Sequence, residues 1–131
     1  MNSLINAVSQ QEKNERRRHP RYHLPEGGIA LLTVTGPYST VVGHILDISI
    51  SGLSFRYVAD EPISDGPSKI TIALPDSKYY LRELPIEPVS DFEIAKIPFG
   101  SISPRRHSIK FGRLTDGQRD QLEHFIRRHA V

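Results

Sequence analysis

Apolar and polar residues alternate along most of the chain, in short stretches separated by turn residues. The clearest stretch is 46–55, in which even-numbered positions up to 50 are apolar and odd-numbered positions are polar. After Gly52 the apolar residues take odd-numbered positions, and such a change of phase requires a turn or an extra residue. Because glycine tolerates a positive φ or a close backbone approach, this pattern predicts two strands joined by a tight turn at Gly52. It also predicts that Asp47 and Ser49 share the solvent face of the first strand.

The same alternation predicts several further strands bounded by Gly, Pro, Asp and Ser. The predicted strands cover residues 29–35, 40–49, 53–58, 69–74, 79–89, 91–97 and 107–112. Pro85 and Pro88 should confine their strand to an edge or an irregular position, because proline cannot donate a backbone hydrogen bond. Residues 99–106 are predicted to form a loop, and the basic side chains at 105–107 are interpreted as solvated surface.

One helix is predicted near the C-terminus, over about residues 116–129. Thr115 and Gln118 fit a capping box, and Leu122 and Phe125 fall on one face of the helix. Several short strands followed by one amphipathic helix predict a mainly β fold. We expect a small antiparallel barrel of about six strands, with the helix capping one opening or edge.

Composition narrows the classes of function. The 131 residues suit one domain, and the absence of Cys excludes disulfides and Cys-based metal sites. No apolar run approaches the roughly 18 residues of a membrane span, and no signal peptide is recognisable, so a cytoplasmic location is expected. The six His residues lack an accompanying carboxylate cluster, and no nucleophile elbow or phosphate-binding loop is present. We therefore expect no metal, no cofactor and no enzymatic activity.

The positive charge is concentrated near the N-terminus. Residues 1–21 hold five basic and two acidic groups, whereas the rest of the chain holds 12 basic and 13 acidic groups. A nucleic-acid-binding protein would more often spread basic charge over a whole face, so this local patch favours a small, compact anion. Residues 1–15 are polar overall and predict a flexible arm, which leaves 16–131 as the folded domain.

Two short motifs identify a candidate family. Arg17 and Arg21 form an R-x-x-x-R pair, and about 26 residues later Asp47, Ser49 and Gly52 form a D-x-S-x-x-G. In this order, and followed by the β-then-helix layout, they resemble the motifs of the PilZ family of cyclic di-GMP receptors. The resemblance extends from about residue 15 to about residue 130.

The chain departs from the family pattern at one visible position. Ile109 stands two residues before Phe111, where the family often has Gly. This difference concerns the local packing of the last strand and leaves both motifs intact.

The resemblance implies a site for cyclic di-GMP. An Arg guanidinium can bind the O6 and N7 edge of guanine, stack on a base or bridge phosphate oxygens. Asp47 would accept from the guanine N–H donors, Ser49 would bond a phosphate, sugar or base, and Gly52 would leave room for a flat base. The implied site consists of Arg16, Arg17, Arg18, Arg21, Asp47, Ser49 and Gly52.

The resemblance further implies a bacterial receptor with a protein partner in the control of motility, biofilm or polysaccharide. One alternative is a PilZ-like protein–protein adaptor that binds no nucleotide. Another is a nucleic-acid-binding barrel, which would need exposed aromatic residues for base stacking. The few Tyr and Phe of this chain are mostly predicted to point inward, so nucleic acid is not the expected partner. A membrane is not expected either, because no apolar run is long enough to span one.

Overall fold

Six strands and one helix make up the part of the chain that the structure describes. The computed structural model describes residues 19–25, 27–34, 40–63, 68–75, 80–95, 100 and 102–131. The elements are β1 (Ile29–Val34), β2 (Thr40–Ile48), β3 (Gly52–Ala59), β4 (Ser68–Ala73), β5 (Tyr80–Glu93), β6 (Ser103–Phe111) and α1 (Asp116–His129). The strands pair antiparallel and close into a barrel in the order β1-β2-β3-β6-β5-β4. The predicted six-stranded barrel with a C-terminal helix is confirmed.

Alternating inward side chains from the strands fill the barrel. Phe55 and Leu32 are fully buried, and α1 adds Leu122 and Phe125 to the same apolar cluster. Burying a side chain of this size stabilises the fold by roughly 1.5–3 kcal/mol. The helix begins with the predicted capping box, in which the Thr115 hydroxyl accepts from the Gln118 N–H and the Gln118 side chain accepts from the Thr115 N–H.

Strand β5 corrects one prediction. The stretches predicted as separate strands on either side of Ser90 form a single strand, and that strand pairs with both β4 and β6. It is therefore not an edge strand. The two prolines are accommodated because the strand is irregular: the register with β6 shifts between Pro88 and Ser90, and the carbonyl of Pro85 accepts from the Gly112 N–H at 2.7 Å.

Strand β6 corrects a second prediction, because it begins at Ser103 rather than at residue 107. Residues 103–106, predicted to belong to a loop, are therefore part of a central strand between β3 and β5. Arg105 and His107 share the inner face of β6 with Ile109 and are only 6% and 2% exposed, so the interpretation of both as solvated surface is wrong. Their burial is tolerated because a carboxylate, Asp91, bonds to both of them.

Candidate functional site

The carboxylate of Asp47 is held between two arginines on the outer face of the barrel. Arg21 Nη1 donates to Asp47 Oδ1 at 2.7 Å, and Arg106 Nη2 donates to Asp47 Oδ2 at 2.9 Å. The Asp47 side chain is 14% exposed, and those of Arg21 and Arg106 are 29% and 37% exposed. Charge-assisted bonds of this length are stronger than neutral ones, so the three residues form a defined ionic site within reach of solvent.

The backbone that follows Arg21 fixes the position of this arginine. Tyr22 and Ile48 exchange backbone hydrogen bonds at 2.8 and 2.9 Å, and His23 does the same with Val131 at 2.9 Å. The segment therefore lies between the end of β2 and the residues that follow α1. It connects the Asp47 site to both the hairpin and the C-terminal helix.

The turn between β2 and β3 is organised by Ser49. Its hydroxyl oxygen accepts from the N–H groups of Ser51 and Gly52 at 3.1 and 3.2 Å, and the Ser49 N–H donates to the Gly52 carbonyl at 2.8 Å. Ser49 is fully buried, so the prediction that it shares the solvent face with Asp47 is wrong. The reason is that β2 ends at Ile48, and strand alternation does not govern a side chain in the turn.

The phase of β2 also changes earlier than predicted. The register with β3 shifts between Ile45 and Asp47, which leaves Leu46 as the extra residue of a bulge. Ile48 is consequently fully buried, whereas Leu46 and Ile50 are only half-buried. The bulge and the turn together aim Asp47 outward while the backbone enters the hairpin.

Gly52 has a close backbone approach, as its position in the pattern predicted. A Cβ at this position would lie 2.2 Å from the carbonyl oxygen of Ile109 on β6 and 3.0 Å from the Cα of Lys110. Any larger residue would therefore push β3 away from β6. The role of Gly52 toward a base stays a prediction.

Three of the predicted site residues lie outside the described part of the chain: Arg16, Arg17 and Arg18. The structure brings together Arg21 and Asp47, and it places Ser49 and Gly52 in the adjoining turn. The predicted arm over 1–15 also lies outside the described residues.

Sequence reasoning missed Arg106, which contacts Asp47 across 59 positions of sequence. No local motif records such a pairing. The sequence carried one signal, the alternation of side chains between the two faces of a strand. It places Arg106 on the face of β6 that holds Ser108 and Lys110, opposite the face of Ile109. Beside the arginine, the hydroxyls of Ser54 and Ser108 lie 2.8 Å apart and continue the polar outer face.

Two adjoining grooves flank the hairpin tip. One, of about 390 Å³, lies between the tip and α1, and its lining includes His19, Tyr22, Ile50 and Ile126. The other, of about 280 Å³, is also lined by His19 and Ile50 and carries two cations, Lys110 and Arg119. His19, the first described residue of this segment, therefore lies beside open, partly basic surface.

A second polar cluster lies inside the barrel and was also missed. Asp91 accepts from Arg105 Nε at 2.7 Å, from His107 Nδ1 at 3.0 Å, from the Ile63 N–H at 3.2 Å and from the Tyr57 hydroxyl. Burial, together with the bond to Asp91, raises the pKa of Tyr57 to about 12. Burial alone would raise the pKa of Asp91, but its hydrogen bonds outweigh that effect and hold the pKa below its ordinary value.

A groove of about 400 Å³ reaches Asp91 and His107, but both oxygens of Asp91 already accept hydrogen bonds from the protein. The interior cluster ties β5 to β3 and β6, and we interpret it as structural. Within the described ranges, no three His, Cys, Asp or Glu side chains are grouped so as to hold a metal ion.

One solved structure with a similar fold is described as a PilZ domain. The chain is similar to the PilZ domain, with c-di-GMP, of YcgR from Escherichia coli, with a TM-score of 0.65 and 19% identity over 87% of this chain and 91% of that one. It also resembles YcgR of Escherichia coli in complex with c-di-GMP (TM-score 0.61, 18% identity, 86% of this chain). A third match is the Bacillus subtilis inhibitor of motility MotI/DgrA (TM-score 0.60, 16% identity, 86% of this chain).

These likenesses establish that the chain has a PilZ-like fold, as the motifs suggested. The matched regions make up 45% of the full YcgR chain and 50% of MotI/DgrA, so this chain spans about half of either protein. No family model and no curated protein sequence matches the chain. Among the residues that the structure describes, no helix is long and apolar enough to cross a membrane.

Proposed function

We propose that this chain is a cyclic di-GMP receptor, which binds the nucleotide between the arginines of its N-terminal segment and the Asp47 face of the barrel. The observation that carries the proposal is the Asp47 carboxylate, held outward by Arg21 and Arg106 beside the Ser49 turn. The PilZ-like fold supports it, because one solved neighbour is described as a PilZ domain with c-di-GMP.

The chemistry of the site suits the ligand. A guanine presents the acceptors O6 and N7 on one edge and N–H donors on another, so it needs both a donor fork and a carboxylate. In the proposed complex Arg21 and Arg17 bind guanine or phosphate oxygens, with Arg16 and Arg18 adding positive charge. Asp47 accepts from the guanine N–H groups and thereby selects guanine over adenine.

Ser49 and Gly52 enter the proposed site mainly through the turn they form. The Ser49 hydroxyl accepts from two backbone N–H groups and is fully buried, so it fixes the hairpin on which Asp47 stands. Gly52 keeps the backbone of this hairpin close to β6. We also propose that Ser49 bonds the nucleotide directly and that Gly52 leaves room for a base.

Binding would change the surface that the protein presents. Residues 10–21 carry five of the basic groups of the chain, and a ligand with two phosphates would relieve the repulsion among them. Because His23 is paired with Val131, closing this segment over the barrel would alter the surface next to α1. We propose that a protein partner reads this change, and that the chain acts in the cytoplasm as a receptor without catalysis of its own.

One observation favours the alternative of an adaptor that binds no nucleotide. Each oxygen of Asp47 accepts from an arginine of the protein itself, so the carboxylate has partners of its own. An adaptor would use the same outer face for a protein partner alone.

Calorimetric titration separates these possibilities. The proposal predicts saturable binding of cyclic di-GMP and none of cyclic GMP or of a random oligonucleotide. Binding of the oligonucleotide alone would indicate a nucleic-acid-binding barrel. Absence of heat with all three, for a folded protein, would leave the adaptor.

A further inference from the structure

Arg106 belongs to the body of the barrel, whereas Arg21 lies on the segment that leads out of it. In β6, Arg106 stands opposite Arg56 of β3 and Phe92 of β5, so its backbone is fixed by pairing on both sides. Arg21 directly precedes the isolated bridge formed by Tyr22. Of the two arginines that contact Asp47, Arg106 therefore has the more rigidly held backbone.

Asp47 needs such a fixed partner. Its side chain is only 14% exposed, and a shielded carboxylate that loses its partner carries a large desolvation cost. If Arg21 turned toward a bound nucleotide with no second arginine present, Asp47 would be left with neither an ion pair nor a defined orientation. The bond from Arg106 to the other oxygen, at 2.9 Å, prevents this.

We infer that Arg106 is a positioning residue of the nucleotide site: it keeps Asp47 in place and aimed at the guanine edge while Arg21 moves to the ligand. This inference rests on the proposed function. It gives the two arginines that contact Asp47 different tasks: Arg21 binds the nucleotide, and Arg106 holds Asp47. Each carboxylate oxygen has two lone pairs, so the bond from Arg106 leaves room for a guanine N–H.

The test is a double-mutant cycle between Arg106→Gln and Asp47→Ala, with cyclic di-GMP affinity as the readout. If Arg106 acts through Asp47, Arg106→Gln should weaken binding about tenfold in the natural sequence. In the Asp47→Ala background it should weaken binding less than twofold. Arg106→Lys, which keeps the charge but not the planar fork, should recover only part of the loss.

Arg56→Gln is the matched control, since it removes the same charge from the neighbouring strand on the same outer face. An equal loss for Arg56→Gln and Arg106→Gln would overturn the inference in favour of general electrostatic attraction. An equal loss from Arg106→Gln in both Asp47 backgrounds would overturn it as well, because Arg106 would then act independently of Asp47. Failure of the unsubstituted protein to bind cyclic di-GMP would reject the proposed function itself, which is a separate result.

Discussion

Tyr22 and Ile48 exchange both of their backbone hydrogen bonds, at 2.8 and 2.9 Å. This single bridge joins the end of the arginine-rich segment to the last residue of β2, directly before the Ser49 turn. It places Arg21 of the first motif beside Asp47 of the second, 26 positions later in the sequence. The neighbouring pair between His23 and Val131 extends the connection to the end of α1.

Amide hydrogen exchange should respond to the ligand in the residues before the Tyr22–Ile48 bridge and should not respond at the bridge itself. We predict that amides of residues 10–20 exchange more slowly once cyclic di-GMP is bound, because the nucleotide holds the arginines against the Asp47 face. The amides of Tyr22 and Ile48 should be protected in both states and serve as internal controls. Exchange at residues 10–20 that does not change on binding would rule out closure of this segment.

Gly52→Ala should destabilise the fold. The added methyl would meet the Ile109 carbonyl at 2.2 Å, and forcing two paired strands apart costs roughly 1–3 kcal/mol. Gly117→Ala is the matched control, because the nearest atom to its Cβ is 3.9 Å away and alanine is favoured in helices. Urea unfolding should show a lower free energy of unfolding for the first variant only. Equal stability of the two variants would mean that β3 and β6 adjust without cost.

Because of the interior cluster around Asp91, the free energy of unfolding should fall in acid. The pKa of Asp91 is lowered in the folded state, so its contribution is present above the pKa of the unfolded chain, near 4. It is lost as the pH falls through the folded-state pKa. Asp91→Asn should therefore be less stable than the unsubstituted protein at pH 7, and the difference should shrink below pH 4. A difference that is constant from pH 7 to pH 2 would show that ionisation of Asp91 does not matter.

Asp47 should set the preference for guanine. Asp47→Ala should lower affinity for cyclic di-GMP by about tenfold or more, and affinity for cyclic di-AMP by much less, because adenine presents no matching pair of donors. Asp120→Ala, on the exposed surface of α1, is the control and should change neither affinity. Equal losses for the two nucleotides would make Asp47 a structural residue of the hairpin.

The sequence was sufficient for the features that depend on local pattern. Alternation located β1 to β4 and the turn at Gly52, and the Thr115 capping box located the start of α1. The prediction for Ser49 was wrong because a single residue past the end of β2 leaves the alternation and turns its hydroxyl into the hairpin.

The features that depend on distant partners could not be predicted in this way. Arg105 and His107 lie at odd-numbered positions of β6 like Ile109, and alternation places them on its inner face, but basic side chains are seldom buried. Only the position of Asp91, on another strand, explains their burial. Arg106 and Asp47 are likewise joined only by the pairing of β2, β3 and β6.

The central claim is that the arginines before the barrel, together with Asp47, bind cyclic di-GMP. The most direct measurement is calorimetric titration of this nucleotide into Arg17→Ala, Arg21→Ala and Arg128→Ala, the last an exposed arginine of α1. Loss of a charge-assisted contact costs about 1–3 kcal/mol, so the first two variants should bind at least about fivefold more weakly, and Arg128→Ala should bind as the unsubstituted protein does. Unchanged affinity of both Arg17→Ala and Arg21→Ala would contradict the proposed site.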